Sequence, residues 1–243
     1  MECIVLTGSK GKIGKAISKK LKLNGFRVIG IDKKERDIDH NDHIKLDLSL
    51  IDQKNIRQEL KASLRKKIGD DSCIGLINNA AVQCLNSLNN IKIDEFNHSI
   101  NVNLTAPLTI SKILQNDLKK NKGCIINIGS IHSRLTKPKF ISYATTKAGL
   151  EGLTRSLAVD IGNAVRVNMI SPAAIDTPML RASFNNNNEA YNELEKFHPT
   201  NSIGNVDEIA LIILSILNRD LSFLNGSIIN LDGGIGSRLH DPN

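Results

Sequence analysis

The chain has 243 residues, of which 40% are hydrophobic, 23% charged and only 3% aromatic, and its net charge is +7. That is enough chain to bury a full core, and the balance is globular rather than disordered or fibrous. The basic excess is scattered (Lys19, Lys20 and Lys22; Lys61, Lys66 and Lys67; Lys119, Lys120 and Lys122) with no interleaved aromatics, which argues against a nucleic-acid partner.

In chain order, the apolar run over 2–7 predicts a strand. It leads through Thr7-Gly8-Ser9-Lys10-Gly11-Lys12-Ile13-Gly14 straight into a helical pattern over 13–23. Glycines there permit a tight turn and the close approach of a pyrophosphate, while a helix start offers unpaired N–H groups and partial positive charge. A second strand over 26–31 leads to Asp32. A carboxylate at that point accepts hydrogen bonds from adenosine ribose hydroxyls and repels a 2′-phosphate, which predicts NAD rather than NADP. Lys10, Lys12, Lys33 and Lys34 pull the other way, because cations there can pair with a 2′-phosphate. The polar stretch with Asp37, Asp39, His40, Asp42 and His43 reads as a loop, and no metal site is expected.

Further strands are predicted over 43–46, 73–77, 123–128, 165–170 and 227–231, and helices over 52–67, 94–119, 142–161 and 206–218. This alternation predicts a single α/β domain over 1–243: a Rossmann-type, doubly wound parallel sheet of about seven strands, helices on both faces, and ligand at the strands' C-terminal ends. Cys3, Cys73 and Cys124 fall in strand runs as small buried hydrophobes, and with Cys84 they make no C-x-x-C pair. With no leader or long apolar span read, a cytoplasmic, membrane-free setting is expected. Residues 179–204 break the rhythm and are expected to form a substrate lid, with the tract Asn185, Asn186, Asn187 and Asn188 as a flexible tip.

On the helix over 142–161, Tyr143 and Lys147 stand at i, i+4 and share a face. A free phenol has a pKa of about 10. A cation beside it favours the phenolate and brings that value toward the operating range, as general acid–base chemistry requires.

These motifs resemble the short-chain dehydrogenase/reductase family from residue 3 to about residue 234. The marks occur in order: the glycine-rich turn; Asp47-Leu48; Asn78-Asn79-Ala80-Ala81; Asn103 in N-V-N-L-T-A; Ser130 in I-N-I-G-S, at the family's interval before Tyr143; Tyr143 and Lys147; the segment from Pro172 to Met179; and Asp232-Gly233-Gly234. Length and C-terminal half are those of the classical branch, whereas the glycine spacing is that of the extended branch, with Lys12 where the classical branch has its middle glycine. Ala81 and Ala173 also replace family glycines, which bears on cofactor affinity and pocket width.

The resemblance implies an NAD(P)-dependent oxidoreductase that interconverts a secondary alcohol and a ketone. Tyr143 would be the general acid or base, and Lys147 would lower the phenol's pKa and hold the nicotinamide ribose. Ser130 would hydrogen-bond the reacting oxygen, and Asn103 would hold a water linking Lys147 to solvent. Gly8, Lys10, Gly11, Ile13, Gly14 and Ala80 would cradle the dinucleotide. Asp32, Asp47, Leu48 and Asn79 would line its adenosine half, with Ile175 and Thr177 beside the carboxamide. Taken singly, Ser130 also reads as a strand-end cap, Asn103 as a kink residue and Thr177 as an N-cap before Pro178. His132, Gln83 and Cys84 are candidate substrate contacts. The substrate class expected is a sugar, polyol or hydroxy acid, and the aromatic-poor lid argues against a steroid. A homotetramer or homodimer is implied, with the helices over 94–119 and 142–161 at one interface and the last strand at another. Two rivals are a nucleotide-sugar epimerase or dehydratase, suggested by the glycine spacing, and a non-catalytic dinucleotide-binding regulator.

Overall fold

Seven β-branched runs become seven strands in the computed structural model, which describes residues 1–35, 42–182, 184 and 187–239. They are β1 (Glu2–Thr7), β2 (Arg27–Asp32), β3 (His43–Lys45), β4 (Ser72–Asn78), β5 (Cys124–Ile128), β6 (Arg166–Pro172) and β7 (Ile228–Leu231). Every neighbouring pair is parallel, in the order β3-β2-β1-β4-β5-β6-β7. The chain winds outward from β1 in one direction and, from β4 onward, in the other. The β1/β4 boundary is therefore the topological switch point, where a doubly wound sheet opens a crevice.

Strand side chains alternate between faces and divide the core in two. Cys3, Val5, Ile29 and Ile31 face one layer, where they meet Leu60 and Leu64 of α2 (Lys54–Ile68), Ile110, Leu114 and Leu118 of α4 (Ala106–Lys120), and Ala158 of α5 (Ile141–Asp160). Ile4, Leu6 and Val28 face the other, against Ile17 and Leu21 of α1 (Lys12–Leu23) and Ile209, Ile213 and Ile216 of α8 (Val206–Leu217). Cys3, Cys73 and Cys124 are buried, as expected of strand cysteines, whereas Cys84 is partly exposed.

Two regions differ from the expectation. The helix over 94–119 is divided into α3 (Ile93–Ile100), a π turn over Asn101–Thr105, and α4. Pro107 sits in the first turn of α4 and has no N–H to give an α-helical bond back to residue 103, and the wider turn closes instead from Ala106 N–H to the Asn101 carbonyl. The segment over 179–204, expected as a lid with no element assigned, holds most of α6 (Pro178–Ala182) and all of α7 (Asn188–Phe197). The Asn187 side chain accepts from Ala190 N–H at 3.1 Å and caps α7, so this part of the tract starts a helix rather than forming a tip. Asn185 and Asn186 lie outside the described residues.

Of the acid- and histidine-rich stretch, Asp37, Asp39 and His40 also lie outside them. Asp42 is ion-paired with Arg27, and His43 belongs to β3. No helix among the described residues is long and apolar enough to cross a membrane.

Candidate active site

At the switch point the end of β1 is fastened to the end of β4. Thr7 Oγ1 accepts from the N–H groups of both Asn79 and Ala80 at 3.0 Å, and Asn79 Nδ2 donates to the carbonyls of Thr7 (3.0 Å) and Gly8 (3.1 Å). This close approach explains two of the glycines. Gly8 has φ +65, and a Cβ on it would lie 2.8 Å from Ala80 Cα, while one on Gly14 would lie 2.2 Å from the Gly8 carbonyl oxygen. Neither Lys12 nor Ala173 has positive φ, so the missing family glycines leave the backbone unstrained at these points. Thr7 is a structural member of the site that the motif reading passed over; its signal was its place as the last strand residue before the turn.

The turn opens into a cleft of about 910 Å³. Every cofactor-binding candidate named above lines it, as do Ser130, Tyr143 and Lys147. Gln83 and His132 also line it, whereas Cys84 and Asn103 do not. At one end, both Asp32 oxygens accept main-chain bonds, from Lys10 N–H at 2.9 Å and Lys34 N–H at 3.0 Å, which hold the carboxylate at the end of β2. Asp47 accepts from Ser49 N–H at 2.9 Å and caps the short 3₁₀ turn over Leu48–Leu50. Lys12 departs from the sequence expectation. Its ammonium donates to Asp176 Oδ2 at 2.9 Å, on the loop after β6, so it is not grouped with a 2′-phosphate site beside Asp32. Thr177 Oγ1 accepts from Leu180 N–H at 3.2 Å, the N-capping role that its place before Pro178 suggested, while it also lines the cleft.

At the other end stand Ser130, Tyr143 and Lys147, all buried. Lys147 is 2% exposed, and its Nζ donates to the Ile128 carbonyl at 2.8 Å. Burial lowers its pKa to about 8. The ammonium lies 5.6 Å from the centre of the Tyr143 ring. The expected depression of the phenol is absent: burial raises the Tyr143 pKa above its ordinary value, and a hydrogen bond with Ser130 opposes this in part. The reason is desolvation, which disfavours the phenolate and also weakens the charge of the neighbouring amine.

Ser130 Oγ accepts from His132 N–H at 3.2 Å. Asn103, 1% exposed, spends its amide on Val82 (2.9 Å to both N–H and carbonyl) and on Thr146 Oγ1 (2.9 Å), and Thr146 in turn donates to the Tyr143 carbonyl at 2.9 Å. The His132 ring stacks on Phe140 with centroids 4.4 Å apart and meets Tyr143 edge-on at 5.8 Å. Burial, aided by Lys137, lowers the His132 pKa to about 4.

The cleft fits a nicotinamide dinucleotide. Its volume lies within the roughly 300–1,000 Å³ usual for cofactor sites. The glycine turn, packed too tightly for a side chain at Gly8 or Gly14, lines it. A fixed carboxylate stands at one end and a buried amine with a phenol at the other.

Residues 8–236 match the family model described as enoyl-(acyl carrier protein) reductase. The chain is 30% identical over 240 residues to the 3-oxoacyl-[acyl-carrier-protein] reductase FabG of Buchnera aphidicola subsp. Acyrthosiphon pisum, covering 95% of each chain. Among solved structures it is similar to the ligand-free aldohexose dehydrogenase of Thermoplasma acidophilum (TM-score 0.90, 26% identity, 100% of this chain and 97% of that one). It is equally similar to a 4-hydroxyisoleucine dehydrogenase complexed with NADH (TM-score 0.89, 26% identity, 98% and 100%).

Proposed function

The chain belongs to the short-chain dehydrogenase/reductase family and is an NAD(P)-dependent oxidoreductase of the alcohol/ketone type, and from that premise we propose how its own residues do the work. Tyr143 holds the proton that moves to or from the substrate oxygen. Ser130, whose oxygen is engaged by His132 N–H, turns its own O–H toward that oxygen and stabilises charge on it. Lys147 supplies a buried positive group next to the phenol. Asn103 acts by position: through Thr146 it steadies the main chain that carries Tyr143. The nicotinamide, when bound, supplies or accepts the hydride. The observation that carries this reading is the convergence of Ser130, Tyr143 and Lys147 on a cleft whose far end is the glycine cradle.

The cofactor preferred is NAD. Both Asp32 oxygens are held by main-chain N–H groups, so the carboxylate cannot swing away from an incoming 2′-phosphate, whereas Lys33 and Lys34 are exposed. Gly8, Lys10, Gly11, Ile13, Gly14, Asp47, Leu48, Asn79, Ala80, Ile175 and Thr177 complete the cofactor wall. Residues 179–204 act as the lid of the one domain.

The substrate is a small polar alcohol or ketone of the sugar, polyol or hydroxy-acid class. The polar groups His132, Lys137 and Gln83 line the cleft with Ser130 and Tyr143 and support this, and the 26%-identical neighbour is an aldohexose dehydrogenase. A second reading, a 3-oxoacyl thioester, is favoured by the 30% identity to proteins of that name. The protein works as a cytoplasmic homodimer or homotetramer through α4 and α5, where Leu108 and Val159 are exposed (47% and 88%).

The test is a panel of polyols, hydroxy acids and an acetoacetyl thioester, assayed with NAD(H) and NADP(H). Faster turnover of polar alcohols with NAD supports the reading. Turnover confined to the thioester with NADPH replaces it with the second one.

A further inference from the structure

His198 directly follows α7 and is only 2% exposed, yet it forms part of the cleft wall. Three restraints hold it. Its own N–H donates to the Glu195 carbonyl at 3.1 Å, its carbonyl accepts from Asn201 N–H at 2.7 Å, and ring Nδ1 meets the Leu194 carbonyl at 2.8 Å. The ring lies against Gly233, where an added Cβ would come within 3.3 Å of His198 Cβ and Cδ2, so the absence of a side chain there leaves the imidazole its place.

A carbonyl oxygen can only accept, so the proton of the neutral ring is on Nδ1 and its lone pair is on Nε2. That Nε2 is buried and has no hydrogen-bond partner among the described residues. Leaving a buried acceptor unmatched is costly. A donor arriving in the cleft recovers this, and a ligand with no donor at that point does not.

We infer that His198 is a specificity residue that accepts a hydrogen bond from a second hydroxyl of the substrate, beyond the one that exchanges hydride, so that the physiological substrate is a diol or polyol. A carboxylate, a ketone or the acyl chain of a thioester offers no proton to a lone pair and gains nothing from this wall of the cleft. The inference rests on the reading of Tyr143 as the proton-transferring group, and it adds what the remainder of the substrate must carry.

The experiment compares matched alcohols that differ by one hydroxyl: butane-2,3-diol with butan-2-ol, and pentane-2,4-diol with pentan-2-ol. Wild type, His198→Phe and His198→Gln are each assayed with NAD. Wild type is expected to favour the diol of at least one pair in kcat/KM by roughly tenfold or more. His198→Phe, which keeps a ring but has no acceptor, should bring that ratio near one through a raised KM for the diol. His198→Gln, which restores an acceptor, should recover part of the ratio. Nitrogen-15 NMR of the histidine rings in the Tyr143→Phe protein reads the tautomer without turnover and remains informative should His198→Phe not fold. A lone pair on Nε2 whose signal moves on adding diol supports the inference.

A proton on Nε2, a wild-type ratio near one in both pairs, or a ratio that survives His198→Phe overturns it. Those results leave the Tyr143 assignment standing. Conversely, undiminished turnover in Tyr143→Phe would overturn that assignment, so the two failures are told apart.

Discussion

Lys12 donates to Asp176 at 2.9 Å, joining the turn after β1 to the loop after β6 across 164 residues of sequence. The same carboxylate accepts from Arg181 Nε of α6 at 2.8 Å and from the Tyr191 hydroxyl of α7 at 3.2 Å. One side chain therefore ties the start of α1 to both α6 and α7, and the Lys12 and Arg181 cations lower its pKa to about 2. Lys12, which replaces a family glycine, is what makes this link possible.

Removing that shared acceptor should loosen α6 and α7 without unfolding the domain, because each ion pair is half exposed and contributes little to global stability. In Asp176→Ala, amide hydrogen exchange over α6 and α7 is expected to speed up several-fold while the denaturation midpoint barely moves. Unchanged exchange there would show that the two helices are held by other contacts.

Lys147 should leave a signature in the pH dependence of stability. Its folded pKa of about 8 lies below the ordinary 10.5, so the unfolded chain binds the extra proton between those values. The cost of burying the ammonium is full below about pH 8 and fades as pH rises toward 10.5. Relative to Lys147→Met, the cofactor-free wild type should gain on the order of 3 kcal/mol between pH 7 and 10.5. Denaturant unfolding of both proteins across that range checks it, and parallel curves would contradict the assigned burial.

His132 acts at the acid end. Its pKa is lowered from 6.5 to about 4, so the unfolded state takes up a proton first and wild type loses stability as pH falls through that window. His132→Phe, which keeps a ring against Phe140, should lose less over the same range, by on the order of 2 kcal/mol. Urea midpoints at pH 7 and pH 4 give the comparison. An equal loss in both proteins would mean that His132 titrates normally.

Asp32 is expected to set the cofactor. Asp32→Ser removes the fixed negative charge and leaves Lys33 and Lys34 in place, so the kcat/KM ratio of NADP to NAD should rise by on the order of tenfold or more. A ratio that does not move would place discrimination elsewhere in the adenosine half.

Much of this was legible because it is local. Alternating β-branched runs marked all seven strands, and Tyr143 and Lys147 were tied by helical spacing alone. What was hidden depends on long-range geometry. Nothing around Lys12 announces a carboxylate 164 residues away, and nothing in His-Pro-Thr identifies His198 as a buried wall of the cleft, since its environment is assembled by α7 and the turn at Gly233. The charge effect expected from Tyr143 and Lys147 in sequence failed for a related reason: spacing reports proximity, but the pKa values depend on burial, which sequence does not state. The break of the helix over 94–119 was signalled by Pro107, whose missing donor is a local fact that the long apolar periodicity concealed.

The most direct measurement is turnover and cofactor affinity of Tyr143→Phe beside wild type, with the best alcohol of the panel. The expected result is a fall in kcat of roughly 10²–10⁴-fold with NAD affinity and the unfolding curve unchanged. Turnover within a few-fold of wild type would contradict it, because the proton would then be moving through some other group.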